Sequence, residues 1–268
     1  MLSNITIGQY HPSNSVVHRL DPRTKLVLII MYIVMLFSAS EIVGLIPGIL
    51  FFFLAYICSS VPLGKIFRSL KAIIPIILFT AVINLFFVGE NVLVQWWIFK
   101  ITQEGIEFSI FMVVRIITLI AGTSLLTYTT TPIALTDGLE SLLSPLKKLR
   151  FPAHDLAMMM TIALRFIPTL IEETDKIISA QKARGADLES GGLLKRAKAL
   201  IPILIPLFIS AFRRAEELAL AMESRCYNGG EGRTRLKELR FGLRDLLAFL
   251  IVGLFLASVF LINHFWRF

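Results

Sequence analysis

LVLIIMYIVMLFSAS at residues 26–40 and IVGLIPGILFFFLAYICSSVPLG at 42–64 are separated by the single charge of Glu41. A helix on the surface of a water-soluble domain keeps one polar face, whereas a helix in hydrocarbon needs about 20 consecutive apolar residues to cross it. These two runs therefore read as membrane spans. Working outward, residues 72–89, 116–136 and 246–266 are also free of Asp, Glu, Lys and Arg. With no water to satisfy exposed backbone groups, such segments cross as helices, so the expected fold is an all-α integral membrane protein with about five transmembrane helices. The run at 26–40 is short for a crossing. It calls for a thinned bilayer, a Lys25 side chain reaching back to the interface, or a bent hairpin through Glu41.

Composition agrees. Of 268 residues, 56% are hydrophobic, and the mean hydropathy is +0.75, which is lipid-soluble territory. The net charge of +8 would suit a nucleic-acid surface on a soluble domain, but here it follows the positive-inside rule. No zinc, helix-turn-helix or RNA-binding pattern competes, and no nucleic-acid partner is expected. Arg19, Arg23 and Lys25 precede the first span, and Lys65, Arg68 and Lys71 lie between the second and third. The opposite loops carry Glu41, Glu90, Glu104 and Glu107 against Lys100, with Trp96-Trp97 suited to an interfacial belt. This charge bias puts the N-terminus in the cytoplasm of a multi-pass plasma-membrane protein. The polar start of the chain lacks the pattern of a cleaved signal and reads as retained. Cys58 and Cys226 fall in different environments, one apolar and one charged, which argues against a disulfide between them.

The charges that the spans lack are concentrated between the fourth and fifth. Residues 132–245 hold 18 of the 27 basic and 14 of the 19 acidic residues. The chain thus divides into an N-terminal transmembrane region, 1–131, a cytoplasmic or interfacial module of about three long amphipathic helices, 132–240, and a C-terminal transmembrane helix, 241–268. Thr131-Pro132 is a helix start, with Thr as N-cap and Pro in the first turn. A second helix begins near Pro152 and runs to Gly185, with Pro168 expected to kink it. A third follows Gly191-Gly192 and runs to Arg225, bent at Pro202 and Pro206, with Arg213 placed to pair with Glu217. Its middle, Ala199–Phe212, is uncharged but too short for a confident crossing. It fits either a buried core helix or one lying on the membrane surface or against a membrane partner. Ala211, Ala215 and Ala219 form a smooth stripe on which another helix can cross closely. Met158 and Met159 suit either a core or a surface that repacks against changing partners.

Each of the two long helices ends in a cationic tripeptide: Ala183-Arg184-Gly185 and Ser224-Arg225-Cys226. A cation at a helix C-terminus is favoured by the dipole, and Gly185 suits a left-handed cap. Two such ends also make rods tipped with planar donors able to enter an acidic or carbonyl-lined groove of another protein.

Four stretches in this order resemble a known family. They are His18-Arg19-Leu20-Asp21-Pro22-Arg23-Thr24-Lys25, Leu164-Arg165-Phe166-Ile167-Pro168, Gln181-Lys182-Ala183-Arg184-Gly185-Ala186, and Met222-Glu223-Ser224-Arg225-Cys226-Tyr227 followed by Gly229-Gly230-Glu231-Gly232-Arg233-Thr234. The chain resembles the transmembrane coupling (T) component of energy-coupling factor transporters, the vitamin and micronutrient importers of bacteria. The resemblance implies that Arg184 and Arg225 dock onto two ABC-type ATPases, alike or different, which bind ATP and Mg. It implies a separate membrane-embedded substrate-binding (S) component as further partner, no cofactor on this chain, and a structural or signalling place for Arg165. Ser224-Arg225-Cys226 departs from the family's Ala-Arg-Gly, so the glycine turn is lost and the helix is expected to end differently, around Asn228-Gly229. The alternative is a conventional ABC permease subunit, whose Glu-Ala-Ala…Gly signature does not precede Gly185. An enzyme is disfavoured: no Gly-x-x-x-x-Gly-Lys-Ser/Thr loop and no metal spacing among His11, His18, His154 and His264 occurs.

Overall fold

The computed structural model describes residues 10–89, 92–96, 99–145, 151–186, 192–229 and 239–266. Among these, nine helices and one hairpin alternate in the order α1 (Pro22–Ser38), α2 (Ile46–Ser59, entered through a 3-10 turn at Val43–Leu45), α3 (Leu63–Lys71), α4 (Ile74–Phe87), β1 (Val92–Trp96), β2 (Phe99–Thr102), α5 (Gln103–Thr129), α6 (Pro132–Leu143), α7 (Ala153–Ala183), α8 (Leu193–Glu223) and α9 (Leu243–Trp266). The chain forms two compact units, one comprising Gly8–Leu139 with Leu239–Phe268, the other containing Glu140–Glu238. The protein is all-α in class; the antiparallel β1–β2 hairpin, with a bulge between Val92 and Val94, was not foreseen from sequence. Glu90, Trp97, Gly191 and the stretch 230–234 lie outside the described residues.

In the first unit side-chain bonds to backbone groups set the register between helices. Lys25 Nζ of α1 donates to Thr129 O (3.0 Å), and Tyr32 Oη to Thr118 O (2.7 Å). Arg115 of α5 donates back to Ala39 O, just past the end of α1. α1 and α5 are thus antiparallel. α4 runs against α5, with Ser109 Oγ on Ala81 O (3.0 Å) and Thr102 Oγ1 on Val88 O (2.5 Å). α9 runs parallel to α1: Asp245 Oδ1 accepts from Asp21 N (2.9 Å) at one end, and Asn263 Nδ2 donates to Ser38 O (2.6 Å) at the other. Tyr32, Met35, Leu36, Leu45, Phe111 and Val259 make the core between them. Gly122 is required there, because a Cβ would sit 2.3 Å from Tyr32 Cε1.

The outer faces carry large apolar side chains, among them Phe79 (65% exposed), Phe87 (74%) and Leu254 (71%), as expected where lipid is the solvent. By length and composition α5, α7 and α9 are able to cross a membrane, with α3–α4 as a fourth if that pair, bent by 59°, counts as one span. α1, at 17 residues, and α2 fall short of that length. Two boundaries differ from the sequence reading. The uncharged run 116–136 is not one helix: α5 starts at Gln103 and ends at Thr129, because Pro132 opens a new helix whose Thr131 Oγ1 accepts from Ala134 N (3.3 Å). α7 is long and apolar enough to cross a membrane although it lies in the charged region, since five of its seven charged residues fall between 172 and 182.

Lys25 does not reach back to an interface; it is 6% exposed and spends its three donors on His18 O, Thr129 O and Thr130 Oγ1. Arg115 lies in the interior of α5, stacked over Phe111 with its guanidinium carbon 4.2 Å from the ring centre. Each cation serves the C-terminal end of the opposite helix, where carbonyls lack helical donors and the dipole is negative. Replacing Lys25 with Met strands these acceptors and is expected to cost about 3 kcal/mol. Arg115→Met is expected to act the same way at the other end. Thermal unfolding of each variant in detergent measures this; unchanged midpoints in both would show that the α1–α5 seam is held by other contacts.

Candidate functional site: two arginine-ended helices

The second unit is built around the antiparallel packing of α7 and α8. Three contacts set the register. Gln181 Nε2 near the end of α7 donates to Pro202 O near the start of α8 (3.3 Å). In the middle, Glu173 takes Arg214 on one carboxylate oxygen (Nη2 at 2.8 Å, Nε at 3.2 Å) and the Ser210 hydroxyl on the other. At the far end, Tyr227 Oη donates to Met158 Sδ (2.9 Å). Arg184 and Arg225 therefore lie at opposite ends of the pair. Each is eleven residues beyond its own member of the Glu173–Arg214 ion pair, or about 16 Å of helix at 1.5 Å per residue.

The Gln181 contact follows from the prolines. Pro206 has no N–H to give the carbonyl four residues earlier, and that carbonyl belongs to Pro202. The amide of Gln181 supplies the missing donor. With that repair α8 runs as one continuous helix through both prolines, and α7 likewise through Pro168.

Both helices end in the same turn. At the first tip Gly185 N donates to Lys182 O (3.0 Å) and Ala186 N to Gln181 O (2.9 Å); at the second Cys226 N donates to Glu223 O (2.8 Å) and Tyr227 N to Met222 O (3.0 Å). This paired pattern is the Schellman motif, and it requires a left-handed residue after the cap. Gly185 takes it at φ +84°, and Cys226 takes it at φ +56°. The sequence expectation that losing glycine would change this helix end is thus corrected. Cys226 accepts the strained conformation because the two closing bonds satisfy the last carbonyls. Gly229 adds a further left-handed turn at φ +83°. The two backbones deliver Arg184 and Arg225 in equivalent places, and both side chains are exposed with no hydrogen bond or ion pair to any described residue.

The other candidate residues divide. Met158 and Pro202 take part in the crossing through the bonds above, and Pro206 is half-buried on α8. Met159, Arg165 and Pro168 are exposed on α7, as are Ala183, Ser224 and Cys226 at the tips. The alanine stripe is not the crossing face: Ala211 is half-buried but Ala215 is exposed, and the face that meets α7 is Ser210, Arg214, Leu218 and Met222. A charge clasp was available there, so close backbone approach on alanine was not needed. Arg213 does pair with Glu217, at 4.0 Å on the exposed side. The uncharged middle of α8 turns outward, with Ile205, Phe208, Ile209 and Phe212 exposed by 54 to 72%, which rules out a helix buried within its own unit. Sequence reasoning missed Glu173, although it stands in register with Leu170 and Ile177 on the apolar stripe, where an acid needs a partner. No group of three or more potential metal ligands occurs among the described residues.

Cys226→Gly removes a left-handed non-glycine residue and is expected to stabilise the second tip by about 1 kcal/mol, while Gly185→Ala costs the first tip a similar amount. No described residue stands within 4 Å of the added Cβ at 185, so the cost there comes from the left-handed backbone. Amide hydrogen exchange at residues 185–186 and 226–227 reads both changes. Glu173→Gln should loosen the crossing by about 1 kcal/mol, since the pair is partly exposed, and restoring charge complementarity with Glu173→Arg plus Arg214→Glu should recover part of it.

A family model described as Cobalt transport protein, CbiQ, matches residues 13–236. The chain is 51% identical over 264 residues to the energy-coupling factor transporter transmembrane protein EcfT of Ruminiclostridium cellulolyticum, covering 98% of this chain and 99% of the relative. It is 55% identical over 246 residues to the protein so named in Brevibacillus brevis, and 48% over 246 residues to that of Bacillus subtilis, each covering 91% of this chain and 93% of the relative. The chain therefore belongs to the CbiQ/EcfT family, the transmembrane energy-coupling components of energy-coupling factor transporters.

Proposed function

We propose that this chain carries ATP-driven motion from two cytoplasmic ABC-type ATPases, identical or different, to a membrane-embedded S component that delivers a vitamin or other micronutrient. ATP and Mg bind to the ATPases, which perform the hydrolysis. The observation that carries this reading is the pair of exposed guanidinium groups, without a partner among the described residues, held by equivalent Schellman turns at opposite ends of one antiparallel helix pair. A planar five-donor cation at the end of a stiff helix suits an acidic or carbonyl-lined groove, and two such ends match two ATPases.

Residues 132–240 form the coupling module, on the cytoplasmic side of the bacterial cell membrane. The N-terminus lies on that side as well, in keeping with Arg19, Arg23 and Lys25 before α1. Motion entering at either tip passes through the Glu173–Ser210–Arg214 clasp, so displacement of one helix is felt by the other. The apolar outward face of α8, Ile205 to Phe212, faces lipid or the S component. A coupling element of this kind works by holding discrete packed arrangements that nucleotide state biases. Family membership favours this reading over a conventional ABC permease.

Arg184→Glu and Arg225→Glu reverse charge at exposed positions and leave the turns intact. Each alone is expected to weaken co-purification of the ATPases at least tenfold, and together to abolish it along with substrate uptake. ATPase retention and uptake unchanged in the double variant would falsify the docking role.

A further inference from the structure

Between α1, α2, α5 and α9 of the first unit lies a groove of about 290 Å³, at the low end of the volumes that hold a small ligand. Its walls are almost wholly apolar: Leu28, Ile29, Phe52, Leu125 and Ile251 are representative. The groove is open on one side, where Leu54 and Leu247 are 42% and 50% exposed. It is not a pocket for a polar solute.

Its polar residues are concentrated at one end. Lys25 and Arg244 line it there, each in the first turn of its helix, and parallel α1 and α9 bring those turns to the same level through the Asp21–Asp245 bond. Segments 15–25 and 239–245 carry Arg19, Arg23, Lys25, Arg240 and Arg244 against Asp21 and Asp245 alone. Both oxygens of Asp245 accept backbone N–H groups, from Asp21 and Gly242, and Lys25 is committed to three oxygen acceptors. Arg244 is exposed and makes no hydrogen bond or ion pair with any described residue.

We propose that this groove is a binding site for one anionic phospholipid: an acyl chain lies along α1 and α9 in the apolar cleft, and the phosphate is held at its mouth by Arg244. A cationic mouth on an apolar cleft, in a unit whose outer faces carry large apolar side chains, matches the charged head and apolar tail of such a lipid. Basic side chains at a membrane surface attract anionic headgroups, and guanidinium pairs with phosphate through two donors. The site is in the unit that does not contain Arg184 and Arg225, so it stands or falls independently of the docking role.

The test uses the full chain, extracted with its partner subunits, in bilayers of equimolar phosphatidylcholine and phosphatidylglycerol with matched acyl chains. After re-extraction, the retained lipid is quantified by mass spectrometry. Phosphatidylglycerol is expected to be enriched over the bulk ratio. Arg244→Gln is expected to lower that enrichment about fivefold, the factor for one basic side chain near the surface, with total retained lipid unchanged. Ala248→Trp, which fills the groove wall, should remove the retained lipid. Phosphatidylglycerol bearing a photoreactive group in its acyl chain should label Ile29 and Phe52. A retained ratio equal to the bulk, enrichment undiminished in Arg244→Gln, or label spread over the outer residues Phe37 and Leu254 instead would each overturn the proposal. Should Ala248→Trp fail to fold, the exposed Arg244→Gln and the labelling still decide it.

Discussion

A carbonyl that loses its helical donor inside a membrane has no water to turn to, and the side-chain bonds that join α1 to α5 answer that constraint. α1 and α5 lie antiparallel, so each places its C-terminal end beside a cation of the other. Lys25 serves Thr129 O and Arg115 serves Ala39 O, while Tyr32 reaches Thr118 O between them. α9 is bound to α1 at both ends, Asp245 accepting from Asp21 N and Asn263 donating to Ser38 O. The charged and amide side chains that hydropathy marks as costly are therefore the ones that fix helix register.

The α7–α8 pair satisfies its stranded carbonyls by different means. Proline in α8 strands the Pro202 carbonyl, and Gln181 of α7 repairs it. At the two tips the last carbonyls are closed by the chain's own Schellman bonds, so neither arginine is needed as a cap. The backbone alone holds each turn, which leaves both guanidinium groups outside the capping bonds. Cys226 in the left-handed position shows how firmly that geometry is held, because it persists without the glycine that ordinarily makes it easy.

Much of this was legible in the residues. The uncharged runs, the charge-rich stretch from 132, the Thr131-Pro132 start and the arginine-ended helices are local features, and local features follow from composition, periodicity and capping. What could not be read were the pairings. Glu173 and Arg214 are 41 residues apart, Arg115 and Ala39 76, Lys25 and Thr129 104, and Asp21 and Asp245 224. Each charged member taken alone suggests snorkelling, solvation or a simple helix cap, and the alanine stripe on α8 is as good a helix surface as the polar one that is used.

By itself, then, the sequence determined that the chain is a helical membrane protein with a charge-rich pair of long helices, each carrying an arginine at its end, because hydrophobic run length and helix-end chemistry act within a few residues. The tertiary structure alone decided which face of α8 meets α7, that both arginines are presented from the same turn at opposite ends of that pair, and that Lys25 and Arg115 turn inward. Those outcomes depend on which buried donor lies near which unsatisfied acceptor, a matter of packing between distant segments that no local pattern encodes.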